Sequence, residues 1–204
     1  DLTKIYLRIM KKQTHIVFLG PDGSGKSSII EKIKVELDKK KISYKHIHLK
    51  PNFFSKKIKK LATDPHNQVL RSNFLSFIKL IQWLIVFKIF FFIEKFSKKK
   101  VLLFDRYPHD ILIDPLRYRF NLSEKLTCKI LDFFPKPNYW VVMTGSPNKI
   151  FERKKEVELI TLKNQIFKYE IFAKKKSNSF LISRLDDHNL ITKIILKREN
   201  FSNT

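Results

Sequence analysis

The stretch Gly20-Pro21-Asp22-Gly23-Ser24-Gly25-Lys26-Ser27-Ser28 holds all but one of the four glycines in a chain of 204 residues. Such a loop can bind a polyphosphate. Glycines let the backbone turn tightly and bring N–H groups against phosphate oxygens with no Cβ in the way. Lys26 and Ser27 follow the last glycine at the spacing of G-x-x-x-x-G-K-[ST]. The Lys26 ammonium would reach the β- and γ-phosphates, and the Ser27 hydroxyl would ligate Mg²⁺. An ordinary strand-to-helix turn needs no Lys-Ser pair there, so the glycines read as a triphosphate cradle. A second cluster, FDRYPHD at 104–110, follows an apolar run. A carboxylate at the end of a parallel strand stands at the mouth of an open α/β sheet. Asp105 could hold Mg²⁺ through water or orient an attacking oxygen, and Arg106 could clamp an acceptor phosphate. The same two residues could instead be an ion pair tying a loop to the sheet.

Elements must position these groups. HIVFL at 15–19 reads as a buried strand running into the glycine loop. Apolar residues at helical spacing (Ile29, Ile30, Ile33, Leu37) predict a helix over 26–40 leaving it, whose N-terminus adds partial positive charge. Further strands are expected at 44–49, stopped by Pro51, and at 101–105, 138–144 and 180–185. Helices are expected at 53–62, 68–96, 123–133, 147–157, 161–176 and 189–198, with a division near Asp64-Pro65. Strands alternating with helices argue for an α/β fold with a doubly wound parallel sheet. Residues 1–14 read as an N-terminal extension, with Met10 a plausible natural start, and 15–199 as one domain.

Composition narrows the classes. Cys128 is the only cysteine, which excludes an intramolecular disulfide and fits a cytoplasmic location. No apolar segment ahead of a small-residue cleavage site marks a signal peptide. The net charge of +23 is spread along the chain, mostly as lysine. It reads as a general bias, so no dedicated nucleic-acid site is expected, although attraction to anionic nucleotides or membranes follows. His46 and His48 point the same way on a strand and, with His109, could suggest a metal. No carboxylate-rich set accompanies them, so a transition-metal centre is not expected. The apolar run 74–96 is long enough to span a bilayer. Lys79 and Lys88 fall on opposite helical faces, which favours a helix buried on most sides, in the core or at a subunit contact, over membrane insertion.

GPDGSGKSS with DRY at 105–107 resembles the thymidylate kinase family of nucleoside monophosphate kinases. The chain looks closer still to the thymidylate kinase-like proteins found with bacterial surface-polysaccharide genes. That likeness runs through HLKP (48–51), FDRYPHDILIDPLRYR (104–119), PKPNYWVVMTGSPNKIFERKKE (135–156) and a helix bearing Gln165 and Tyr169. The resemblance covers 15 to about 198 and implies a P-loop NTPase-type sheet of about five parallel strands with a small helical lid. It implies ATP and Mg²⁺ as cofactors. It implies ATP binding by Gly20 to Ser28, with Gly23, Gly25, Lys26, Ser27 and Ser28 matching most directly. It gives Asp22 a contact to the acceptor's sugar, and Asp105 and Arg106 to magnesium or catalysis and the acceptor phosphate. Arg153 matches an arginine at the start of the lid. One class of the family carries an arginine inside the loop, where this chain has Gly23, so transition-state charge would fall to the lid cations Arg153, Lys154 and Lys155.

The chain also departs from the family. HLKP replaces an Arg-Glu-Pro-Gly-Gly segment, Phe74, Phe77, Ile78 and Trp83 dominate a helix that usually carries an acceptor arginine, leaving Arg71, and Thr144-Gly145 replaces an aspartate. Asp110, Asp114, Arg117, Tyr118 and Arg119 match the polysaccharide-associated pattern and could read a different acceptor. Asp114 and Arg117 could also be a simple (i, i+3) pair. The expectation is an ATP- and Mg²⁺-dependent phosphotransferase acting on a nucleoside monophosphate such as dTMP or a related phosphorylated small molecule. The alternatives are a sugar or glycan kinase and a nucleotide-binding, non-catalytic partner. A homodimer through 74–96 is a further expectation, and association with a membrane surface a less favoured one.

Overall fold

The computed structural model describes residues 13–49 and 70–183. Strand β1 (Thr14–Leu19) leads through the glycine loop into helix α1 (Lys26–Lys39). Then come β2 (Tyr44–His48), α2 (Asn73–Glu94) and β3 (Val101–Asp105). Two short 3-10 turns, Pro108–Leu112 and Leu116–Tyr118, precede α3 (Glu124–Leu131). The described chain continues with β4 (Tyr139–Met143), α4 (Pro147–Arg153), α5 (Leu159–Lys174) and β5 (Ser179–Ile182). The five strands form one parallel sheet in the order β2-β3-β1-β4-β5.

Successive side chains of a strand point to opposite faces, and both faces of this sheet are covered. Val17, Leu19, Phe104 and Trp140 meet the inner face of α2, through Leu80, Trp83, Phe87 and Phe91. Ile16, Phe18, Leu103 and Val141 meet Ile29, Ile30, Ile33 and Leu37 of α1. β3 and β4 are buried throughout, as the unbroken apolar runs VLLFD and YWVVM require. Aromatic rings fill the first layer edge to face: Phe87 lies 5.2 Å from Tyr107, and Trp140 lies 5.1 Å from Phe172. Each such ring contributes about 1.5–3 kcal/mol by leaving water.

Register sets the site. Asp105 pairs with Phe18 on one side and with His48 on the other. The carboxyl ends of β1, β2 and β3 therefore share one edge, and the glycine loop leaves from it.

Several expected boundaries move. α2 starts at Asn73, where the Ser72 hydroxyl caps it by accepting from Leu75 N–H at 3.3 Å. α3 and α4 are shorter than expected, and the 3-10 turns between Pro108 and Tyr118 were not anticipated. α2 is not buried on most sides. It buries one face, with only 22% of its most apolar 18-residue window inside the protein. The helices expected at 53–62 and 189–198, the division at Asp64-Pro65 and the extension before residue 13 lie outside the described residues.

Candidate active site

The loop after β1 is shaped by its glycines. A Cβ on Gly20 (φ +144°) would stand 2.4 Å from the Met143 carbonyl oxygen. Gly25 adopts φ 93° and caps α1 without a side chain, a conformation that costs a substituted residue. No acidic residue sits in the first turn of α1, so its positive end faces the cleft uncompensated. Lys26 Nζ donates to the carbonyls of Gly20 and Pro21 at 2.8 Å each and stands 3.6 Å from Asp22. Burial, and then the neighbouring Arg106, push its ammonium pKa down to about 8.

Asp22 is the meeting point of the site. Its carboxylate pairs with the guanidinium of Arg106, with Arg117 at 2.9 Å and with Lys154 at 3.4 Å. Burial opposes its charge, yet Arg106, a hydrogen bond with Glu156, Lys26 and Arg117 outweigh that and hold it well below the usual carboxylate range. Lys154 also bonds Glu156 at 2.6 Å, and Arg117 approaches Glu156 at 3.5 Å. These contacts fasten the segment after α4 over the glycine loop. Gly23 (φ +81°) is where the two touch: a Cβ there would meet the Ile150 carbonyl at 3.1 Å and Lys154 Cβ at 3.2 Å.

Arg106 follows β3 at φ 74°, and its N–H donates to the Phe18 carbonyl at 3.0 Å. Its guanidinium, 3% exposed, bridges Asp22 and Asp110. Asp110 is fully buried and also accepts from the hydroxyls of Tyr118, at 2.9 Å, and Tyr169. Two 3-10 turns and α5 thus converge on one carboxylate that fixes one arginine. Asp105 instead pairs with His48, Nδ1 to Oδ2, at 2.7 Å. Burial opposes its charge, but the His48 hydrogen bond and Lys26 outweigh that, and it titrates below its ordinary value. Its Oδ1 is buried with no hydrogen-bond partner.

A cleft of about 600 Å³ gathers these groups. Asp22, Gly23, Gly25, Lys26, Ser27 and Ser28 line it together with His48, Asp105, Arg106, Arg117, Arg153 and Lys154. Arg153 and Lys154 therefore face it, whereas Lys155 lies 5.8 Å from the Phe151 ring. Gly20 and Ser24 are packed beneath: Ser24 is buried, its N–H donating to the Pro21 carbonyl at 3.3 Å.

Neither a protein-family model nor a curated protein matches the sequence. Solved structures do match the fold. The thymidylate kinase of Candida albicans superposes with a TM-score of 0.63 at 14% identity, over 94% of this chain and 94% of that one. The thymidylate kinase of Ehrlichia chaffeensis gives 0.59 at 15% identity, over 91% of this chain and 99% of that one. The fold is thymidylate kinase-like. At such identities the likeness carries the architecture and leaves the chemistry to the residues.

Within this thymidylate kinase-like frame, some sequence readings change. Arg106 does not pair with Asp105, and Arg117 does not form an ion pair with Asp114. The Arg117 side chain reaches Asp22 and Glu156, while its backbone N–H donates to Asp114 at 3.3 Å. Arg71 donates to the Tyr118 carbonyl at 3.4 Å. His109 packs among Tyr107, Trp140 and Phe172. Among the described residues no three His, Cys, Asp or Glu side chains group as metal ligands. Sequence reasoning missed Glu156 and the His48–Asp105 pair. The second had a signal, since both residues end adjacent parallel strands.

Proposed function

We infer that this protein is an ATP-dependent phosphotransferase acting on a small phosphorylated acceptor, with a nucleoside monophosphate as the leading class. The observation that carries this reading is one cleft lined both by the glycine loop, Lys26 and Ser27 and by Arg106, Arg117 and Arg153. Phosphoryl transfer leaves a protein little covalent work beyond positioning and charge neutralisation. Lys26 would exchange its carbonyl partners for the outer phosphates of ATP. Arg106, fixed by Asp110, would hold the acceptor phosphate, and Arg153 and Lys154 would neutralise charge on the moving group and exclude water. Ser27 and Asp105 would hold Mg²⁺, which offsets phosphate charge when bound. The partnerless Asp105 Oδ1 and the Ser27 hydroxyl on the same cleft are hard oxygen donors suited to it.

The likeness of residues 104–119 to polysaccharide-associated relatives supports an acceptor other than dTMP. The His48–Asp105 hydrogen bond favours a second reading, a sugar or glycan hydroxyl as acceptor. A hydroxyl has a proton to lose to a neighbouring base, whereas a phosphate acceptor is already an anion.

The test is ADP release from Mg·ATP with nucleoside monophosphates, and then sugars, supplied singly. Turnover with one of the monophosphates, abolished by Lys26→Ala in a protein that still folds, is the expected result. Turnover with sugars alone selects the second reading. ATP binding without turnover on either panel leaves a nucleotide-binding partner, and full activity of Lys26→Ala overturns the mechanism.

A further inference from the structure

The inward face of α5 carries Leu162, Gln165, Ile166, Tyr169, Phe172 and Ala173, a stripe at spacings of three and four. Most of these belong there by their chemistry. Leu162, Ile166, Phe172 and Ala173 are apolar, and the Tyr169 hydroxyl donates to Asp110. Gln165 is the exception. It is 8% exposed, and its amide forms no hydrogen bond among the described residues. A buried amide without partners is costly, so its place there calls for a reason.

Gln165 lines a recess of about 10 Å³ that shares Asp22, Arg106, Arg117 and Lys154 with the cleft. That volume holds one water-sized group. Arg117 lines the recess too, and its Nε is buried without a hydrogen-bond partner. Two unsatisfied groups thus border one small space: an N–H donor, and an amide that both donates and accepts. The charges around it are matched. Arg106 and Arg117 pair with Asp22, and Lys154 pairs with Glu156. Matched charges and this size select a small neutral group over an anion. A hydroxyl answers both orphans, since its oxygen accepts from Arg117 and from the Gln165 amide and its hydrogen is donated to the Gln165 carbonyl.

We propose that the recess receives a sugar hydroxyl of the acceptor, that Gln165 reads it, and that the acceptor is a ribose-bearing monophosphate rather than a deoxyribose one. This rests on the phosphotransfer reading. Arg106, the group expected to hold the acceptor phosphate, lines both cleft and recess, so one sugar phosphate reaches both. A ribose carries adjacent hydroxyls. One donates to Asp22 while its neighbour enters the recess. A 2-deoxyribose leaves the recess without that group, and Gln165 and Arg117 stay unpaired.

Calorimetric titration of the full chain with matched pairs tests it: UMP with dUMP, AMP with dAMP, and ribose 5-phosphate with 2-deoxyribose 5-phosphate. The hydroxylated member binds at least about tenfold more tightly, as a hydrogen bond to a charged group allows. Gln165→Leu weakens only that member and brings each pair to within about twofold. The variant is as stable as the parent or more so, because the free protein loses no hydrogen bond, and it binds a non-hydrolysable ATP analogue as the parent does. Equal binding of both members by the parent overturns the proposal, leaves the recess to an ordered water, and lets the acceptor reading stand. An undiminished preference in Gln165→Leu overturns it as well. Binding of the ATP analogue with no binding of any pair means that the acceptor reading itself has failed, and the proposal with it.

Discussion

The Arg106 guanidinium meets the Asp22 carboxylate across the gap between the end of β3 and the glycine loop, and both residues face the cleft. This pair joins the group expected to hold an acceptor to the loop expected to hold ATP. The same carboxylate lies within 4 Å of Lys26, Arg117 and Lys154. One carboxylate thus touches four cations, two of which Glu156 also meets.

Asp22→Asn removes that anion. The cations then repel one another, and the thermal midpoint falls by the equivalent of about 1–3 kcal/mol, the loss expected for hydrogen bonds to a charged group. The freed positive field strengthens binding of an anion, so inorganic tripolyphosphate binds more tightly than to the parent. Calorimetry reads both. A variant that is destabilised and also binds tripolyphosphate more weakly would mean that Asp22 orders the cations rather than restraining them.

Gly23 is the contact between the loop and the segment after α4. Alanine there suffers twice: φ is +81°, and its Cβ would crowd the Ile150 carbonyl and Lys154. Gly23→Ala is expected to cost about 1–3 kcal/mol. Gly23→Arg, the residue that one class of thymidylate kinases carries, would have to displace Lys154. It should lose turnover despite its added charge. Gain of activity in Gly23→Arg would show that this segment moves freely aside.

Tyr169 reaches Asp110 from α5, and Asp110 in turn fixes Arg106. Tyr169→Phe keeps the ring and removes the hydroxyl. About 1–3 kcal/mol of stability should go with it, because the carboxylate stays buried with fewer donors. Acceptor KM should rise while ATP affinity stays unchanged, since the Tyr169 hydroxyl bonds Asp110 and not Lys26 or the loop. A fall in ATP affinity of equal size would mean a general loosening of the site.

Much of this arrangement was legible in the chain. Four of the five strands were readable because each holds a short apolar run ended by a breaker or a polar residue, β2 (YKHIH) because Pro51 stops it soon after, and the glycine loop because chemistry constrains its residue types. The Asp22 and Asp110 networks were not legible. They depend on Arg106 leaving β3 at positive φ and on Tyr118 and Tyr169 arriving from turns and helices far apart in sequence. The outer face of α2 was misread for a related reason: apolar residues on every side of a helix indicate burial only if the fold supplies neighbours for every side.

One buried and one half-buried histidine tie stability to pH. His109 sits among aromatic rings with an unpartnered Nδ1, and burial, then Lys176, push its pKa down to about 3. Burial pushes His15 down to about 4, against the pull of Glu94. Both are neutral in the folded protein, while the unfolded chain takes up their protons below pH about 6.5. The unfolded state then binds more protons, so stability falls as pH drops from about 6.5 toward 4, by up to about 1.4 kcal/mol per pH unit for each group. Urea unfolding at stepped pH measures the slope. His109→Phe fits the aromatic cage and removes a polar atom without a partner, so it should leave stability at pH 7 equal or higher and lower the acid slope. An unchanged slope would mean that His109 becomes charged inside the folded protein, which requires water to reach its ring between Trp140 and Phe172.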